Sequence, residues 1–72
     1  MSQSEIYQIL KNKRLSGDHA FFSREEIERL LKDQGIESRY TALHLKKLAW
    51  FGYLDFEFVG NYKVYRLKKE YL

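Results

Sequence analysis

Cysteine is absent from this chain, and so is any long apolar run. The first absence excludes disulfides and thiolate metal sites and fits a reducing interior. The second excludes a membrane-spanning helix, which needs about 20 consecutive apolar residues. The opening, MSQSEIYQIL, carries no charged leader followed by an apolar stretch. No membrane association is therefore expected, and the expected location is cytoplasmic, the host cytoplasm if the source is a virus. A Gly-rich phosphate loop is missing, and no serine stands with a histidine in a nucleophile setting. His19 and His44 are far apart and form no H-x-x-x-H arrangement. No enzymatic activity, metal or cofactor is expected. Asp55 and Glu57 share a strand face and could mimic a catalytic carboxylate pair, but Asp55 is better explained by an arginine opposite it, Arg66. Repeats, low-complexity segments and linkers are lacking too.

The 72 residues make one domain, 1–72, with no room for a second core or an effector domain. A core this small commonly contributes only about 3–5 kcal/mol net, so tight packing, good helix caps or a partner subunit must add to it. What the chain does have is aromatic side chains: six Tyr, five Phe and one Trp. These bring large buried areas per residue. Charge is distributed unevenly. Residues 1–38 carry six Lys/Arg against seven Asp/Glu, a net of −1, and residues 39–72 carry seven against three, a net of +4. A cationic second half is the electrostatic footprint that phosphate binding requires.

Patterning divides the chain into three helices and a hairpin. Helix 1 is expected over 3–15, opened by a capping box from Ser2 to Glu5 and lined by Ile6, Ile9 and Leu10 at helical spacing. Lys11, Lys13 and Arg14 suit its C-terminal dipole, and Gly17 stops it. His19-Ala20-Phe21-Phe22 is too short for a helix and is expected as a strand that pairs with the hairpin edge. Helix 2, expected over 24–34, has a capping box from Ser23 to Glu26 and a hydrophobic staple from Phe22 to Ile27. Ile27, Leu30 and Leu31 form its buried face, and Gly35 with Ile36 gives a Schellman stop. A short turn, Gln34-Gly35-Ile36-Glu37, leads to helix 3 over 39–51, with Ser38 as its N-cap. Thr41, Leu45, Leu48 and Gly52 fall on one face of it. Strands are expected over 53–59 and 62–68, joined by Gly60-Asn61 in a primed turn. That loop sets Leu54 opposite Leu67, Phe56 opposite Tyr65, Asp55 opposite Arg66 and Val59 opposite Tyr62, so apolar meets apolar and opposite charges meet. Leu45, Leu48, Leu54, Phe56 and Leu67 are the expected core.

A helix that runs straight into a hairpin is what a small DNA reader needs, since a helix fits the major groove and a β-ribbon reaches flanking backbone or minor groove. The face of helix 3 opposite its core carries Arg39, Leu43, Lys46 and Trp50, with Tyr40 and Lys47 beside it. Arginine favours guanine O6 and N7, lysine anchors on phosphate, and Leu43 could meet a thymine methyl. His44, at the helix flank, could reach a phosphate.

The run His44-Leu45-Lys46-Lys47-Leu48, followed by Gly52, Tyr53 and Leu54, resembles winged helix-turn-helix transcription regulators of the small prokaryotic, archaeal or viral type. Many of these end the reading helix in H-L-K-K-L-x-x-x-G, then Tyr or Leu, then Leu or Ile. The resemblance spans nearly the whole chain, because the earlier helices and the HAFF segment fall in the family's order. It implies an α+β winged-helix fold in which the hairpin is the wing. It also implies sequence-specific double-stranded DNA binding by a reading helix headed by Ser38, through Arg39, Tyr40, Leu43, Lys46 and Lys47, with backbone contacts from Gly60, Asn61 and Lys63. Two departures stand out: Trp50 and Phe51 where such proteins usually have a polar and then an aliphatic residue, and a minimal wing loop. Such regulators often dimerise, and Tyr7, Trp50, Tyr71 and Leu72 lie off the expected core faces, so a homodimer is expected with these as candidate contacts. The alternative expectation is a winged-helix module that binds another protein through the same aromatics. No small-molecule effector is evident.

Overall fold

The apolar stripe Ile6, Ile9 and Leu10 dictates where the first helix lies. All three are buried, and they draw helix α1 (Gln3–Leu15) against the rest of the chain. The computed structural model describes residues 3–18 and 20–71, so the capping role expected of Ser2 lies outside the described residues. Arg14, in the last turn of α1, donates from Nη1 to the Leu67 carbonyl at 2.8 Å and ties the helix to the final strand. After α1 the Asp18 carboxylate accepts from the Ala20 N–H at 3.1 Å. The extended segment then begins late. Strand β1 is Phe22–Ser23, where 19–22 was expected, and His19 lies outside the described residues. Ser23 serves twice, as the last residue of β1 and as the N-cap of α2 (Arg24–Asp33).

Helix α2 starts as its capping box requires. Ser23 Oγ accepts from the Glu26 N–H at 3.2 Å, and the Glu26 carboxylate accepts from the Ser23 N–H at 3.1 Å. Ile27 and Leu31 are buried. The Ile36 N–H donates back to the Leu31 carbonyl at 2.9 Å, the long bond of a Schellman stop. The last expected helical residue, Gln34, is the C-cap.

The third helix, α3 (Thr41–Trp50), begins two residues later than expected, and Ser38 is not its N-cap. Tyr40 holds that position and makes no side-chain capping bond. Thr41 explains the shift. It is fully buried, and both its N–H (3.3 Å) and its hydroxyl (2.8 Å) donate to the Ser38 carbonyl. That bonding closes a separate turn over 38–41, leaving Arg39 and Tyr40 ahead of the helix. Leu45 and Leu48 are buried as expected. The Tyr53 N–H donates to the Leu48 carbonyl at 3.0 Å while Gly52 takes φ +83°, a left-handed conformation that only glycine adopts cheaply.

Strands β2 (Leu54–Val59) and β3 (Tyr62–Leu67) pair antiparallel in the expected register, including Asp55 with Arg66. Gly60, at φ +63°, turns the chain between them. Among the described residues the sheet has three strands in the order β1-β3-β2, with Phe22 beside Tyr65. The described residues thus form a small α+β domain of three α-helices and a three-stranded antiparallel sheet, closed by a 3-10 turn at Lys69–Tyr71. The core joins Ile6, Ile9, Leu10, Ile27, Leu31, Leu45, Leu48, Leu54 and Leu67.

Phe56 corrects the expected core. It shares a strand face with buried Leu54, yet it is 45 % exposed, and Phe58 two residues on is 67 % exposed. Alternation places a residue on a face but does not say how far the covering layer extends. At Leu54 and Leu67 that layer is complete; one rung further out, on the edge strand β2, it only partly covers Phe56.

Candidate nucleic-acid interface

Helix α3 contains no Asp or Glu, and its solvent-facing stripe is Leu43, Lys46, Lys47 and Trp50. These four fall at i, i+3, i+4 and i+7, one face of a helix. With Phe51 they line a shallow hollow of about 450 Å³. Trp50 is 84 % exposed, covered neither by Tyr53 nor by Tyr71.

A second hollow, about 540 Å³, separates the N-terminal end of α2 from the hairpin. It brings Asn61, Tyr62 and Lys63 of the hairpin towards Ala42 of α3 and towards Arg24 and Glu25 of α2. The expected site residues therefore fall into separate groups. Asn61 and Lys63 face the first turn of α3, whereas Leu43, Lys46 and Lys47 gather at its middle and end. Arg39 belongs to neither hollow. Its Nε lies 3.1 Å from the Glu37 carboxylate, a solvent-exposed ion pair in the turn before the helix. Tyr40 beside it is exposed, and Ser38 contributes its carbonyl to Thr41. Gly60 lies at the hairpin tip.

Arg24 is a candidate cation that patterning missed. It stands at the first position of α2, where the positive end of the helix dipole favours acids. A cation in that place was the available signal. Tyr65 lines the same hollow, and burial raises its pKa while the Arg24 charge works in the opposite direction.

Tyr7 and Tyr71 are engaged within the chain. The Tyr7 hydroxyl donates to the Tyr71 carbonyl at 3.2 Å, and Tyr53 packs against both, edge to face with Tyr7 at 6.0 Å between ring centres and tilted against Tyr71 at 4.8 Å. Leu72 lies outside the described residues. Asp55 and Arg66 approach to 3.8 Å, as their register pairing suggests. The His44 Nδ1 is buried and has no hydrogen-bond partner. Among the described residues no group of His, Cys, Asp and Glu is placed to hold a metal ion, and no helix is long and apolar enough to cross a membrane.

On the hairpin, Lys63 Nζ sits 4.8 Å from the ring centre of Phe56 and 5.5 Å from that of Phe58. The two rings meet edge to face at 6.0 Å. On the opposite face, the Arg66 guanidinium lies 4.4 Å from the Phe21 ring centre. No protein-family model matches the chain, and neither a curated protein nor a solved structure matches it.

Proposed function

We propose that the protein is a winged helix-turn-helix regulator of transcription that binds double-stranded DNA, with α3 in the major groove and the β2–β3 hairpin as its wing. One observation carries the reading: α3 presents Lys46 and Lys47 outward with no carboxylate anywhere along it, and the hairpin that follows brings Lys63 round to its first turn. The element order α1-β1-α2-α3-β2-β3 and the sheet order β1-β3-β2 support the same fold reading. In this arrangement Lys46, Lys47, Lys63 and Arg24 neutralise phosphates, while Leu43 meets base edges. Arg39 reaches a guanine once it releases Glu37. Binding to duplex DNA in a salt titration tests the proposal, because each phosphate contact adds about one unit to the salt dependence.

The patch of Leu43, Trp50 and Phe51 favours a second reading, a winged-helix module that docks on another protein. Aromatic residues at that level of exposure are enriched at protein contacts. Salt-independent failure to bind any DNA would select it.

A further inference from the structure

We propose that the hairpin face carrying Phe56, Phe58 and Lys63 stacks the unpaired bases of a DNA strand, so that the preferred ligand is duplex that continues into single strand. The inference rests on the DNA-binding reading above. Its starting point is the row Leu54, Phe56, Phe58 along one face of β2, matched by Leu67, Tyr65 and Lys63 on β3. The first rung is buried, and the outer two phenylalanines are open to solvent. Two exposed rings on an edge strand are a hazard that natural sheets usually blunt. The two rings meet each other edge to face, and the Lys63 ammonium group is within reach of both.

Charge on the hairpin is sorted by face. By strand alternation the two carboxylates of β2, Asp55 and Glu57, point to the side opposite the rings. The ring face carries a cation and no acid. A ligand complementary to it is a polyanion that also offers flat aromatic surfaces, and single-stranded nucleic acid combines the two. Intact duplex does not, because its base faces are hidden in the stack and only edges reach the grooves. On the duplex-DNA reading above, the single strand is DNA. Lys63 also borders the hollow that opens on Ala42, so a strand leaving a duplex held by α3 meets the hairpin next.

Fluorescence anisotropy on labelled DNA tests this with three ligands: a blunt duplex, the same duplex with a single-stranded extension of about six nucleotides, and the free single strand. The extension should tighten binding by at least about fivefold, the low end for one base stacked on an aromatic side chain. The Phe56→Leu/Phe58→Leu double variant, which keeps apolar side chains at both exposed positions, should abolish that gain and leave blunt-duplex affinity unchanged. Phe58→Trp should retain the gain. Equal affinity for blunt and extended duplex, or a gain that survives the double substitution, overturns the assignment and leaves the rings to a protein contact while duplex binding stands. Binding to no DNA defeats this inference together with the function proposed above. Single-strand binding without duplex binding defeats the function proposed above and, with it, the preference for duplex that continues into single strand.

Discussion

Lysines 46 and 47 carry the electrostatic part of the account, and their exposure on α3 makes them safe to alter without disturbing the core. Lys46→Ala and Lys47→Ala should each weaken specific and non-specific DNA alike and lower the salt slope by about one unit. Arg39 has a different signature. If its guanidinium pairs with a guanine, Arg39→Ala should cost about 1–3 kcal/mol on the preferred site and relax preference at one base position. Competition between sites differing at single positions measures this; a uniform loss across sequences would reduce Arg39 to a phosphate contact. Tyr65 supplies a pH test. Burial, opposed in part by Arg24, raises its pKa in the folded protein. The folded state then holds the phenolic proton more tightly than the unfolded chain. The stabilisation from this group is complete below the ordinary tyrosine value and is lost as pH rises through the raised one. Urea unfolding in alkaline buffers should show a steeper loss for the natural chain than for Tyr65→Phe. Parallel pH profiles would remove Tyr65 as the cause.

At the scale of elements, what could be read from sequence depended on how local the determining contacts are. The hairpin register was legible because Gly60-Asn61 fixes it within two residues, and a one-residue slip would turn Leu54 and Leu67 outward. Helix α2 was legible because Ser23 and Glu26 close their box within three positions. The start of α3 was less so. Ser38 has the right side chain for an N-cap, yet burial of Thr41 redirects the turn, and burial is decided by distant residues. Phe56 failed for a related reason, since no local pattern says where the layer over a sheet ends. In the candidate site, Lys46, Lys47 and Lys63 were visible as exposed cations, whereas Arg24 required the approach of α2 to the hairpin. The cap supports a stability prediction. Ser23→Ala removes the bond from the Glu26 N–H and should cost about 1 kcal/mol, within a range of roughly 0.5–2. Chemical denaturation would measure it, and an unchanged midpoint would show that the box contributes little to this fold.

For the whole molecule, the Cα radius of gyration of 11.1 Å agrees with the ~11 Å expected of one domain of this length. Of the four residues expected at a subunit contact, Tyr7 and Tyr71 pack with Tyr53 inside the chain, which leaves Trp50 as the exposed one among those described. Sedimentation at micromolar concentration should show a homodimer; a shift to monomer in Trp50→Ala would put the contact on the face of α3 that carries Lys46 and Lys47, and duplex DNA should then compete with self-association. A monomeric natural chain would mean that the Trp50 patch serves another contact. Above all, the cationic face of α3 is expected to hold DNA. The most direct measurement is duplex-DNA affinity against salt concentration for the natural protein and for the Lys46→Ala/Lys47→Ala double variant. The natural protein should bind with a steep salt dependence, and the double variant should bind more weakly with a slope shallower by about two units. Identical slopes, or no duplex binding by either protein, would contradict the account.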